Sequence, residues 1–216
     1  MARIQVNPNR MELLKLRKRL AIAQRGHKLL KDKLDELMKV FLALVKESRE
    51  LRRELEARLA DAYLVFAIAR SEVITEEVEQ ALSLPTMELE VEVDWSSIMG
   101  VKVPHFELHM EGELDCYSLI STPFSLDTAI LNYRDILPEL VRLAEMENNI
   151  SLLAQEIERT RRRVNALEHV LIPSLRETIT YITMKLDEME RSYRTQLMKI
   201  KSLQEEEARS GAPRPR

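Results

Sequence analysis

The fold of this chain is decided by residues 13–55, which read LLKLRKRLAIAQRGHKLLKDKLDELMKVFLALVKESRELRREL. Steps of three and four residues, taken alternately from Leu13, meet thirteen positions, and eleven of them are apolar. A repeat of 3.5 residues held over six heptads specifies a left-handed supercoil with another long helix. We call these the seam positions: Leu13, Leu16, Leu20, Ala23, His27, Leu30, Leu34, Leu37, Phe41, Leu44, Ser48, Leu51 and Leu55.

The flanking sequence allows this helix to be long. No proline lies between Pro8 and Pro85, and Gly26 is the one glycine in that interval, so a single helix is predicted over residues 9–84. The apolar positions continue at Leu59, Ala62, Phe66 and Ala69, where two consecutive steps of four locally relax the supercoil.

A second helix is predicted over residues 138–207, because Pro138 suits a first helical turn and Gly211 follows the last periodic residues. The two helices therefore predict a mostly α-helical fold, an antiparallel two-helix left-handed coiled coil, followed by a disordered tail over 208–216. The second seam contains Leu143, Met146, Ile150, Leu153, Ile157, Thr160, Val164, Leu167, Leu171, Ser174, Thr178 and Tyr181, and then shifts register to Ile182, Leu186, Met189, Tyr193, Leu197 and Ile200.

The segment 85–137, which would join the two helices, has a different pattern. Apolar and acidic residues alternate there, which is typical of half-exposed strands, so we expect a β-hairpin at about 87–110 with its turn in 96–100. Pro104 would place an edge or a bulge in the second strand, and a short helix is expected at about 123–134. The hairpin would be built from Leu89, Val91, Val93, Val101 and Val103.

Composition excludes several classes of protein. The 216 residues include 32% charged and 5% aromatic residues and only 4 glycines, which argues against a sandwich, a barrel or a dinucleotide-binding domain. Cys116 is the single cysteine, no apolar run approaches the roughly 18 residues of a membrane span, and no signal peptide is recognisable. We therefore expect a cytoplasmic protein that meets a membrane only through partners.

Charge is divided unevenly along the chain. Residues 10–33 contain nine basic side chains against Glu12 and Asp32, a local balance of +7, whereas residues 85–138 contain ten acidic side chains against Lys102 and Arg134, a balance of -8. Surfaces of opposite sign are expected to meet different partners.

Few residues suggest chemistry. The isolated glycines form no phosphate-binding loop, so no nucleotide, cofactor or catalytic site is expected. His105, Glu107 and His109 would share one face of a strand and could ligate a metal, but solvated side chains are the favoured interpretation. For Cys116 a buried, small apolar role is favoured. The basic run Arg159, Arg161, Arg162 and Arg163 would flank the seam as a solvated face, so nucleic-acid binding is not predicted.

Two residues break the helical pattern. Gly26 costs about 1 kcal/mol in a helix interior and Pro173 about 3 kcal/mol. We expect Gly26 to permit close approach of another backbone, and Pro173 to bend the second helix. The alternative is that a long coiled coil tolerates both residues.

Motifs on both helices resemble a known family. Pro8-Asn9-Arg10 with the stretch from Arg25 to Lys33, and Arg162 to Glu168 with Ile172-Pro173 and 186–191, are similar to the D subunit of V-type (archaeal-type, prokaryotic) ATPases over nearly the whole chain. The resemblance implies a non-catalytic central rotor shaft that transmits torque in a rotary ATPase, for ATP synthesis or ATP-driven H⁺ or Na⁺ transport.

The resemblance also implies partners. These are the A and B subunits of the catalytic head, the F subunit, and the funnel-like subunit that caps the membrane ring. Candidate contacts with the A and B ring are Arg17, Lys18, Arg25 and Lys28, and the family's hairpin is associated with stimulating ATP hydrolysis. The rival interpretation is a prefoldin-like coiled-coil chaperone or another coiled-coil scaffold, since prefoldin-like chains also join two long helices through β-hairpins.

Overall fold

The computed structural model describes residues 5–72, 78, 82, 87–112 and 123–210, without the side chains of 207–210. Cys116 and the tail over 211–216 lie outside the described residues, as does most of the segment between 73 and 86. The described elements are α1 (Arg10–Glu72), β1 (Glu88–Ile98), β2 (Val101–Glu111), α2 (Phe124–Ala166), a π-helical segment (Leu167–Leu171) and α3 (Ile172–Ser210). The predicted class, mostly helical with a small antiparallel hairpin in the middle, is confirmed.

The elements are divided between two units. The terminal unit contains the described residues of 1–33 and 160–216, and the central unit contains those of 34–159. Each unit has its own apolar core.

In the terminal unit, the first turns of α1 pack against α3. The α1 helix begins after Asn9, whose carbonyl accepts the backbone N–H of Leu13 at 3.0 Å. Arg10 pairs with Glu190, and His27 Nε2 lies 3.3 Å from Glu168 Oε2. The residue numbers of the partners fall as those of α1 rise, so the packing is antiparallel. The buried core consists of Leu16, Ala23, Ile172, Leu175 and Ile182.

The central unit repeats this antiparallel arrangement between α1 and α2. Ion pairs flank its seam: Arg142 reaches Glu47 at 3.1 Å, and Arg58 pairs with Glu139. Two apolar clusters form the core of this unit. One contains Leu55, Ala62 and Ile136, and the other contains Ala69, Val78 and Leu126.

The hairpin has a tighter turn than the sequence suggested. The strands pair without interruption from Glu88 with Glu111 to Ile98 with Val101, which leaves only Met99 and Gly100 in the turn. Both have positive φ, 52° and 82°, the conformation of a type I′ turn that matches strand twist. The register contains no bulge, so Pro104 marks an edge position only.

The prediction of a short helix ending near 134 and a new helix beginning at Pro138 was wrong. The α2 helix runs through Pro138 without interruption. Proline removes one N–H and costs about 3 kcal/mol in a helix interior. Burial outweighs that cost, because Ile136 is buried and Tyr133, Leu140 and Leu143 pack around it against α1.

The sequence did not predict the interruption after α2. The helix widens at Leu167–Leu171, where the N–H of Ile172 bonds to the carbonyl of Leu167, five residues back. Beyond it the predicted seam residues Ser174 and Thr178 are buried and Leu175 is fully buried, while Tyr181 is exposed and Ile182 is buried at the position of the predicted change of register. The π-helical segment lies immediately before Pro173, which has no N–H for a regular turn. The predicted bend at Pro173 remains a prediction.

The expectation that Gly26 permits close approach of another backbone was wrong. A methyl group placed on Gly26 would meet no atom of the described chain within 4 Å. Within the described chain, Gly26 therefore fills no packing requirement that alanine could not fill.

Candidate interaction surfaces

Exposed basic side chains form two rows on α1 in the terminal unit. Arg17, Lys18, Arg25 and Lys28 are all exposed, because Leu16 and Ala23 turn the opposite face toward the core. At 3.6 residues per turn, Arg17 and Lys28 lie three turns apart on one line, and Lys18 and Arg25 lie two turns apart on another. We call these four residues the basic rows.

Most of the predicted seam residues are covered by neighbouring side chains. On α1 the residues Leu13, Leu16, Leu20, Leu30, Leu34, Leu37 and Phe41 are buried or half-buried. The same is true of Ile150, Leu153, Ile157 and Val164 on α2, and of Leu167 and Leu171 in the π-helical segment.

The last part of the α3 seam is open. Met189, Tyr193, Leu197 and Ile200 are exposed. Since Arg10, the first residue of α1, pairs with Glu190, α3 continues beyond the start of α1. We call these four residues the open seam, and they present an apolar stripe suited to a partner.

In the described part of the central unit, the carboxylate of Glu145 links the hairpin to α2. Glu145 Oε1 lies 3.0 Å from Nδ1 of His105, and Glu145 Oε2 accepts the backbone N–H of Phe106 at 3.1 Å. The hydrogen bond and charge of Glu145 raise the pKa of the His105 imidazole above its ordinary value, and Glu107 and Asp94 act in the same direction. The sequence contained no signal for this contact, because 40 residues separate the partners.

The hairpin has one apolar face and one acidic face. Leu89, Val91 and Val93 lie on the apolar face with Trp95, and all four are exposed. Their partners on β2 are also apolar: Met110, Leu108, Phe106 and Pro104. Of the other predicted hairpin residues, Val101 is half-buried and Val103 is buried, and both belong to the opposite face.

The remaining candidates from the sequence acquire ordinary partners. Among the residues that the structure describes, no group of three His, Cys, Asp or Glu side chains could hold a metal. His105 contacts Glu145, and His109 lies 3.6 Å from Glu92. The arginines at 159, 161, 162 and 163 are exposed on either side of the buried Thr160. No helix of the described chain is long and apolar enough to cross a membrane.

Paired helices with buried apolar seams and an intervening β-hairpin define a coiled-coil protein with surfaces for partners. Comparison with known sequences is more specific, because the family of the ATP synthase D subunit matches residues 12–202. The chain belongs to that family.

Curated relatives agree along nearly their full length. The V-type ATP synthase D subunit from Acetivibrio thermocellus is 51% identical over 212 residues, which is 96% of each chain. Proteins of the same name from a Thermoanaerobacter species and from Clostridioides difficile are 51% and 50% identical, over 94% of this chain and 98% and 93% of their own.

Proposed function

We propose that this chain is the central-stalk rotor subunit of a V/A-type rotary ATPase. It would transmit torque between a catalytic head of A and B subunits and the ion-translocating ring, without itself binding or hydrolysing nucleotide. One observation carries the proposal: the family match spans residues 12–202, and relatives about half identical are named as the D subunit of V-type ATP synthases.

The packing of each unit suits a mechanical role. Two antiparallel helices with a continuous buried seam resist bending better than a single helix, since bending would open apolar contacts on one side. A single asymmetric helix pair inside a three-fold ring touches three chemically identical interfaces differently. Rotation would then move those differences around the ring and bias each catalytic site in turn.

The basic rows are the proposed sliding contacts with the head. Exposed ion pairs contribute about 0–1 kcal/mol each, so such contacts can form and break as the shaft turns. The open seam on α3 would supply apolar contacts with the head. Its residues, Met189, Tyr193, Leu197 and Ile200, are exposed in the isolated chain.

The proposed partners are the A and B subunits, the F subunit, and the funnel-like subunit that caps the membrane ring. The acidic balance of residues 85–138 favours different partners for the central unit than for the basic rows. The chain would be peripheral to the membrane and would reach it only through that complex.

Reconstitution tests the proposal. The head, the F subunit and the membrane ring are assembled in vesicles with and without this chain, and ATP hydrolysis is measured together with ion uptake. We expect uptake only when the chain is present. Equal ATP-driven ion uptake by a complex that lacks the chain would refute the rotor assignment.

The chaperone alternative has one observation in its favour. The open seam resembles the exposed apolar surface with which a prefoldin-like chain would hold clients. The isolated chain should then suppress aggregation of an unfolded test protein and fail to bind the A and B head. Head binding without suppression of aggregation would exclude this alternative.

A further inference from the structure

Within the part of the chain that the structure describes, one backbone edge of the β1 strand has no strand neighbour. Among the described residues, the sheet consists of β1 and β2 alone. In a two-residue hairpin the pair flanking the turn, here Ile98 and Val101, is hydrogen-bonded, and bonded pairs alternate from there. Even-numbered residues of β1 therefore bond to β2, and odd-numbered residues direct their N–H and C=O groups to the free edge.

The corresponding edge of β2 is blocked near its middle. By the same alternation Phe106 points its N–H outward, and that N–H donates to Glu145. Pro104 is also at an outward position, where it has no N–H to offer. Among the described residues, the β1 edge is therefore the longer uninterrupted one.

The free edge of β1 has two chemically distinct sides. The residues whose backbone groups face this edge also carry the apolar face, with exposed fractions of 51% for Leu89, 45% for Val91, 44% for Val93 and 68% for Trp95. The intervening residues Glu88, Glu90, Glu92 and Asp94 carry carboxylates on the opposite face. A strand added here would meet both faces.

A second copy of the chain is a poor occupant. Antiparallel pairing of β1 with β1 would place carboxylates beside carboxylates, and like charges directly opposite each other destabilise strand pairing. Yet β1 lacks other common protections of an edge, since it is 11 residues long, contains no proline, and pairs without a bulge.

We propose that the free edge of β1 accepts an extended segment of another polypeptide in which apolar residues alternate with Lys or Arg. Its apolar side chains would extend the face of Leu89, Val91, Val93 and Trp95, and its cations would meet the carboxylates. This mode, strand addition to an exposed edge, combines main-chain hydrogen bonds with side-chain specificity. The inference does not rest on the rotor assignment.

Labelled synthetic peptides test the proposal with the full-length chain. One peptide alternates Val and Lys, a second alternates Val and Glu, and a third has the composition of the first with its Val and Lys residues in separate blocks. Four cross-strand charge pairs should make the first peptide bind about ten-fold or more tightly than the others by fluorescence anisotropy. Hydrogen exchange should slow at Leu89, Val91 and Val93.

Two variants locate the binding. Val93→Pro removes an outward N–H without removing a bond to β2 and should weaken binding of the Val–Lys peptide about ten-fold. Glu90→Lys should weaken that peptide and strengthen the Val–Glu peptide. Glu54→Lys, the same charge change at an exposed position of α1, should leave both affinities unchanged.

Several results would overturn the proposal. These are equal binding of the three peptides, no binding at millimolar peptide, unchanged affinity in Glu90→Lys, or protection located away from β1. Fluorescence of Trp95, the single tryptophan, reports whether Val93→Pro keeps a folded hairpin. Should that variant unfold, Glu90→Lys and the exchange pattern decide the outcome.

Discussion

Glycine has opposite roles at two positions of this chain. Gly26 is inside α1, where a methyl group would meet no described atom within 4 Å. Gly100 is in the hairpin turn with φ of +82°, a conformation that side chains rarely adopt. The same substitution should therefore have opposite effects at the two sites.

We predict that Gly26→Ala stabilises the terminal unit by about 0.5–1 kcal/mol, because alanine loses less backbone entropy in a helix. Thermal unfolding followed by circular dichroism would measure the shift. Gly100→Ala is the matched control and should destabilise the hairpin, seen as faster exchange of the β1 amides. A destabilised Gly26→Ala variant would show that Gly26 has a packing role after all.

Among the described residues of the hairpin, Met99 is the residue other than glycine that has a positive φ. Its φ of 52° is unusual for a side chain other than asparagine or aspartate. We predict that Met99→Asn stabilises the hairpin by about 1 kcal/mol, since asparagine tolerates this region and Asn-Gly is the preferred type I′ pair. Slower exchange of the β1 amides would confirm this, and faster exchange would contradict it.

The hairpin is joined to α2 through a contact between His105 and Glu145 whose strength depends on pH. The raised pKa of His105 means that its charged form is favoured when it contacts Glu145. That contribution is fully present below the unfolded imidazole's pKa of about 6.5 and is lost as pH rises through the raised folded value. The attachment of the hairpin should therefore weaken as pH rises.

We predict that the Phe106 amide, after correction for intrinsic exchange, becomes less protected as pH rises through this window. Glu145→Gln should remove most of the pH dependence and lower protection at acidic pH. Arg142→Gln, on the same helix, disrupts the pair with Glu47 instead and should leave the pH profile of Phe106 unchanged. A profile that persists in Glu145→Gln would contradict the assignment.

The α3 helix buries one face and exposes the other. Leu175 is fully buried, while Met184 on the same helix is 66% exposed. We predict that Leu175→Ala costs about 2–5 kcal/mol and that Met184→Ala costs less than about 1 kcal/mol. Denaturant unfolding would measure both. Equal costs would contradict this register.

The sequence predicted which residues form helices and strands better than it predicted where the helices are interrupted. The 3.5-residue repeat from Leu13 predicted the α1 helix, and alternation predicted both strands, because these patterns are local. Pro138 misled the prediction, since the local penalty was outweighed by burial of Ile136 against α1, a contact distant in sequence. Glu145 was missed for the same reason, as nothing near it in sequence marks its attachment to β2.

For the whole molecule, the rotor proposal requires contacts with the head that are individually weak. We predict that neutralising any one of Arg17, Lys18, Arg25 or Lys28 changes head affinity less than about five-fold, whereas neutralising all four reduces it much more and weakens its dependence on salt. The affinity of each variant for an immobilised head of A and B subunits, measured at several ionic strengths, would test this. A single neutralisation that abolishes binding would show a fixed anchor instead of sliding contacts.

As the proposed rotor, this chain would turn inside the head. A bead attached to the chain in an immobilised complex of A, B and F subunits would report that motion directly during ATP hydrolysis. We expect rotation in one direction that stops when ATP is removed. Sustained hydrolysis with a bead that stays still on an intact, attached chain would contradict it.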